Sequence, residues 1–203
     1  MTAATLGAHD PGDARRRYSA LAILLHWILA LAFAGQVLLG WYEQDGVPDH
    51  SPAQDAILAI HVSVGLTVLL LTVARLALRL SRGPPDLPAA MAGWEKGLAH
   101  VTHVIFYLLM LGLPLSGWTL ASMGRRPIRF WGLFDWPRLP VAGLIPQGQG
   151  RALHHTVETF HGSVLVWIGI ALVALHIAGA LKHQFDRTPV LWRMVPFLRP
   201  PAT

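Results

Sequence analysis

Residues 159–181 read TFHGSVLVWIGIALVALHIAGAL, a run of 23 positions without Asp, Glu, Lys or Arg. Crossing a bilayer core about 30 Å thick takes roughly 20 helical residues. With no water there to bond its peptide groups, such a run must fold as a helix. Three more charge-free stretches lie upstream, at residues 20–42, 56–74 and 97–124. Outside them the chain is ordinary; inside them it is nearly all apolar. This explains why 53% of the 203 residues are hydrophobic and only 13% charged, against about 25% charged in a typical soluble domain. A soluble domain, a nucleic-acid binder and a disordered chain are all poor readings. The absence of cysteine excludes disulfides, thiolate-held clusters and a thioether-linked haem.

The chain therefore reads as an all-α membrane protein, a four-transmembrane-helix bundle. The helices are expected at about residues 20–42, 56–79, 97–122 and 155–183, within a membrane domain spanning 18–185. A loosely ordered segment, 1–17, precedes it and a tail, 186–203, follows. Ala32–Phe33–Ala34 resembles a cleavage site, but the apolar run continues to Tyr42, so the first span is expected to be retained. Four spans put both termini on one side, and the basic residues choose that side. Arg15, Arg16 and Arg17 precede the first span. Arg75, Arg79, Arg82 and Lys96 flank the second connection, and Lys182, Arg187, Arg193 and Arg199 follow the fourth span. Eleven of the 16 bases then share the side of the termini, which the positive-inside rule assigns to the cytoplasm. The other five, Arg125, Arg126, Arg129, Arg138 and Arg151, all fall in the long third connection. Either another selection acts on that loop or it is indifferent to the rule.

Six of the eleven histidines lie inside the apolar runs: His26, His61, His100, His103, His161 and His176. An ionisable group at membrane depth is costly and suggests function. The plain alternative for any one of them is a hydrogen bond to a neighbouring helix. Their depths are the discriminating pattern. At about 1.5 Å per residue, His26 and His176 both sit roughly 8–9 Å inside the edge on the side of the termini. His61 and His161 lie near the opposite edge. His161 and His176 are 15 residues apart on one helix, within about 60° of one face and roughly 22 Å along the axis. That distance is too long for one shared metal ion and suits two flat cofactors stacked through the membrane, each between two imidazoles. Bis-imidazole haem leaves no open iron position and favours one-electron transfer; zinc would want three or four converging ligands. Gly65, Gly162 and Gly179 stand near these histidines and would give a macrocycle clearance, although small residues also serve close helix packing.

Ordered segments of the chain resemble the prokaryotic cytochrome b561 family of small di-haem membrane proteins. They are Tyr18–Ser19 with Leu25–His26–Trp27, Ile60–His61–Val62–Ser63–Val64–Gly65, Val73–Ala74–Arg75–Leu76, and Gly97–Leu98–Ala99–His100–Val101–Thr102–His103 with Tyr107. Leu113–Pro114–Leu115–Ser116–Gly117 and Leu175–His176–Ile177–Ala178–Gly179–Ala180–Leu181–Lys182–His183 complete the set. The resemblance covers about residues 18–185. It implies two haem b groups, the inner one on His26 and His176, the outer one on His61 and His161. The family's spacing on the fourth helix is more often 14 than the 15 found here, which keeps His154 and His155 open as alternatives to His161. Arg75 and Arg79 are candidates to meet the haem propionates. His100 and His103 are not ligands by this resemblance; bonds to propionates, proton delivery and bonds to neighbouring helices are open to them, and a supporting structural role is the expectation.

Within the family the resemblance is to superoxide oxidase. It implies an electron taken from superoxide outside and passed through both haems to ubiquinone near the cytoplasmic face of a bacterial inner membrane. Arg125, Arg126 and Arg129 would steer the superoxide anion, since a basic surface raises anion encounter rates. His183 would deliver protons to quinone, with Trp27, Ser19 and Lys182 lining its pocket. The alternative is an electron-relay subunit that exchanges electrons between quinone and a periplasmic or membrane redox partner, such as a dehydrogenase or hydrogenase. Membrane lipid and quinone are partners on either reading; nucleic acid is not.

Overall fold

The computed structural model describes residues 17–124, 126–141, 148–186 and 188–199. The segment expected to be loosely ordered lies, apart from Arg17, outside the described residues. The helices are α1 (Ala20–Asp45), α2 (Pro52–Arg82), α3 (Gly93–Met123), α4 (Gly150–Thr159) and α5 (Val166–Phe185). A π-helical turn, Phe160–Leu165, joins α4 to α5, so these two make one continuous fourth span of 36 residues. The expected four-helix membrane bundle is the architecture found. Four helices are long and apolar enough to cross a bilayer. Their outward faces carry large apolar side chains, with Leu31 71%, Leu108 65% and Trp167 62% exposed. Such a belt suits acyl chains and not water.

The helices outrun the charge-free stretches that revealed them, because their ends are capped in the polar zone beyond. Ser19 accepts a hydrogen bond from the Ala22 N–H at 3.3 Å and starts α1. Ser51 accepts from the Gln54 N–H at 3.1 Å and starts α2, with Pro52 at the first helical position. α3 continues through Pro114, which is buried.

Cross-links along the bundle establish that α1 and α2 run in opposite directions. Near the termini, Arg75 of α2 donates to the Ala22 carbonyl of α1 at 2.8 Å. At the far end, Gln36 of α1 donates to the His61 carbonyl of α2 at 2.9 Å. Gly169 of α5 lets α1 come close: a Cβ there would stand 2.7 Å from the Phe33 ring. Buried Leu25, Leu29, Leu66, Leu69, Leu109 and Leu172 fill the space between the helices.

The two ends of the bundle are finished differently. At the end bearing the connection from α3, a short antiparallel hairpin pairs β1 (Ile128–Phe130) with β2 (Phe134–Trp136). Its tip turns through left-handed backbone at Trp131 and Gly132. The tip lies against α2: the Trp131 N–H donates to Ser63 Oγ at 3.0 Å and its indole N–H to Thr67 Oγ1 at 3.1 Å. Trp118 donates to the Pro137 carbonyl at 2.9 Å, tying the returning chain to α3. At the termini end, residues 188–195 fold back over the helix ends. Trp192 and Arg193 are buried there, and Arg193 donates to the Asp86 carbonyl at 2.6 Å. Arg17 donates to the carbonyls of Val195 and Leu198.

Candidate functional site

The structure brings the four deep histidines together as two pairs, one at each end. His26 of α1 and His176 of α5 have ring centroids 6.1 Å apart, with planes inclined at 62°. His61 of α2 and His161 of the π turn also stand 6.1 Å apart, inclined at 79°. A metal–imidazole bond is about 2 Å long and a ring's centre lies roughly 1 Å behind its nitrogen. Two imidazoles gripping one iron from opposite sides therefore set their centroids about 6 Å apart. Both pairs have that separation, so the residues present fit bis-imidazole haem. Among the described residues no group of three or more His, Asp or Glu converges to hold a metal ion in any other way.

The π turn explains the unusual spacing on the fourth span. In an α-helix each added residue swings the next side chain by about 100°. A π turn bonds i to i+5 and so takes up one extra residue without redirecting the helix on either side. His161 lies inside it, and it is His161 that faces His61. His154 and His155, the open alternatives, line a separate cavity of about 420 Å³ with Met123, Gly150, Arg151 and Glu158. His154 is 3.8 Å from Glu158 there.

Glycines supply clearance at the hairpin-end pair, though not those singled out in the sequence. A Cβ on Gly40 of α1 would come within 3.4 Å of the His61 ring, and one on Gly117 of α3 within 3.0 Å of the His161 ring. Gly65 instead makes room for Gln36, whose amide nitrogen would lie 3.2 Å from a Cβ. Sequence reasoning misses both Gln36 and Ser116. Ser116 Oγ lies 2.9 Å from His161 Nδ1. A signal for Gln36 exists: it is a lone amide in an otherwise apolar first span. Ser116 lies in the Leu113–Gly117 segment that carries the family resemblance, but the sequence gives it no role there.

The termini-end pair has a different setting. A guanidinium nitrogen of Arg75 is 3.5 Å from His26 Nδ1. His103 adds a third imidazole, its centroid 5.6 Å from that of His176, and holds the Ala99 carbonyl through Nδ1 at 2.5 Å. Phe106 packs edge-on to His176 at 5.4 Å. His103, expected to support the structure, thus stands beside His176.

The residues expected around quinone divide between two places. Ser19 lines a cavity of about 330 Å³ with Arg17, Arg75, Arg79, Arg82 and Tyr107. Arg79 lies over the Tyr107 ring at 5.8 Å. Trp27 and His183 instead meet the folded-back C-terminal segment. The Trp27 indole donates to the Met194 carbonyl at 2.8 Å, and His183 Nδ1 is 3.0 Å from Thr188 Oγ1. Lys182 is held between Glu95 and Asp186, 2.7 Å from each. The ammonium keeps the exposed Asp186 carboxyl below its ordinary range.

On the hairpin end, Arg125 lies outside the described residues. Arg126 is ion-paired with Asp55, and Arg129 Nε is 3.4 Å from Asp135. Arg138 donates to the carbonyls of Gly124 and Arg126. These guanidiniums are exposed, but carboxylates beside two of them offset part of their charge.

Comparison with known proteins points the same way as the geometry. A family model described as prokaryotic cytochrome b561 matches residues 17–197. Cytochrome b561 homolog 1 of Escherichia coli (strain K12) is 27% identical over 189 residues, covering 89% of this chain and 97% of that protein. Cytochrome b561 homolog 2 of the same organism is 28% identical, covering 88% and 91%. A probable superoxide oxidase CybB of Yersinia pestis is 30% identical over 190 residues, covering 89% and 97%.

Proposed function

Since this chain belongs to the prokaryotic cytochrome b561 family, a family of haem-bearing membrane electron carriers, we propose that it passes single electrons from superoxide to ubiquinone across a bacterial inner membrane. The observation that carries this reading is the pair of facing imidazoles at each end of one bundle, both with centroids 6.1 Å apart. On this reading His26 and His176 hold one haem b, and His61 and His161 the other. Haem b held by two imidazoles would supply outer-sphere, one-electron chemistry.

The chain's own residues do the rest. The termini face the cytoplasm and the hairpin faces outward. Arg126 and Arg129 draw a small anion to the hairpin end, by a field that their neighbouring carboxylates moderate. Arg75 and Arg79 would meet the propionates of a haem at the termini end. His183 handles the proton that reduced quinone requires: Thr188 engages Nδ1, which leaves Nε2 to exchange it. Trp27, its indole held by the Met194 carbonyl, walls the quinone site beside His183, while Ser19 borders the separate basic cavity and Lys182 stays tied to Glu95 and Asp186. The test uses the purified full chain with no other protein. Superoxide should reduce the haem rapidly and ubiquinol should follow. Two haems that respond to dithionite but not to superoxide would eliminate superoxide as the donor.

A second reading, an electron-relay subunit, draws support from the hairpin tip. Trp131, Leu133 and Phe134 are exposed there beside arginines that already have partners. Such a surface could seat a periplasmic redox protein, and electron entry that requires an added partner would favour this reading.

A further inference from the structure

The third helix supplies none of the four paired histidines, yet it holds one of them. Ser116 follows the buried Pro114 by two residues and has a single hydroxyl proton. That proton goes to the Leu113 carbonyl, 2.8 Å from Oγ. The same oxygen lies 2.9 Å from His161 Nδ1. With its proton committed, the hydroxyl can only accept, so Nδ1 of His161 carries hydrogen and donates it to Ser116 Oγ, with the Leu113 carbonyl also bonding this ring. A neutral imidazole protonated at Nδ1 keeps its lone pair on Nε2. Gly117, the next residue, lets the ring lie against the helix, since any Cβ there would be 3.0 Å from it. The π turn brings His161 to this spot. Its partner has no such hold: His61 Nδ1 is buried and unpartnered among the described residues, as is Gln36 Oε1 nearby.

We propose that Ser116 is a positioning residue for the hairpin-end cofactor, its hydroxyl fixing the tautomer and the electron-donating strength of His161. The inference rests on the reading of His61 and His161 as haem ligands. An imidazole that donates its outer N–H to an acceptor is more basic at the ligating nitrogen, and partners of this kind orient ligands and tune the metal. Deleting the acceptor makes His161 a poorer electron donor, which favours reduced iron.

The experiment compares the purified full chain with Ser116→Ala and Ser116→Thr. Both variants are titrated potentiometrically, and release of haem to apomyoglobin is timed. Ser116→Ala should retain two haems, move one midpoint upward and leave the other in place. The moving transition should be the one missing from His61→Ala, and that haem should leave about 10-fold faster. Ser116→Thr, which keeps the hydroxyl, should restore both values. Outright loss of this haem in Ser116→Ala with its return in Ser116→Thr supports the same assignment. Two unmoved midpoints in Ser116→Ala, or equal defects in the Ala and Thr variants, overturn it. Failure of the underlying reading looks different: wild-type protein would bind one haem, or His61→Ala and His161→Ala would each keep two.

Discussion

The two histidine pairs have the same separation and almost nothing else in common. At the termini end, the imidazoles lie beside a guanidinium, a third imidazole and a C-terminal segment folded back over the bundle. At the hairpin end they are met by a neutral hydroxyl, an amide and two glycines, and beyond them by an aromatic hairpin with arginines that are largely paired. The lesson is that ligand geometry alone does not distinguish the two ends; their surroundings do. A fixed positive charge at Arg75 favours the reduced state of whatever lies beside His26, because an added electron is attracted to it. A neutral acceptor at Ser116 favours the oxidised state on the other side. On the proposed function, both effects drive an electron from the hairpin end toward the termini end.

Removing a histidine should break the comparison most completely. His176→Ala is expected to cost one haem per chain and spare the other, and His61→Ala the converse, as measured by pyridine haemochrome stoichiometry and split reduced spectra. If either change removes both or neither, the two ends are not independent sites. Next in size is His183→Ala. Both haems should persist while quinone reduction falls by about 100-fold, within the range for losing a positioned proton donor. Thr188→Val should give a smaller loss in the same assay. An unchanged rate in His183→Ala would move proton delivery elsewhere at the termini end, with His103 the next residue to examine.

Arg75→Leu should sharpen the electrostatic contrast. Removing a charge at such close range is expected to lower the termini-end midpoint by an amount on the order of 1 kcal/mol, leaving the hairpin-end midpoint in place. Equal shifts at both ends would mean that Arg75 acts through the fold and not through its field. Arg126→Gln with Arg129→Gln should have a smaller effect, because each guanidinium already has a carboxylate neighbour. A few-fold slower reduction by superoxide is expected at low salt, converging with wild type as salt screens the field. Smallest is the contribution of Asp186. Its folded-state pKa is depressed by Lys182, so whatever stability the pair adds is present above the ordinary carboxylate range and is lost as pH falls through the lowered value. Lys182→Met should flatten this acid-side dependence of thermal unfolding; an unaltered profile would show the pair to be without consequence.

Much of the candidate site is legible in the order of the amino acids. His26 and His176 share a depth because depth along a membrane helix is a count of residues from its edge; His61 and His161 match more loosely, and the family resemblance, with His154 and His155 open, is what pairs them. Counting gives 15 residues between His161 and His176; that this is one more than usual comes from the family resemblance, and no periodicity argument predicts that a π turn will absorb the extra one. The residues expected around quinone are the least legible. Ser19 caps a helix and borders a basic cavity, while Trp27 and His183 meet a C-terminal segment whose packing has no signature in a Pro-rich stretch.

From the sequence alone come the number of spans, their helical character and the two levels of imidazole, since each follows from how one segment is solvated by lipid. Only the folded chain decides which nitrogen finds which partner: Ser116 against His161, 45 residues away in sequence, Gln36 against the His61 carbonyl, and Arg126 against Asp55. Solvation is a property of a stretch and is written locally. A hydrogen bond between spans depends on the rotation and offset of two helices to within an ångström, and packing sets those only when all four have assembled.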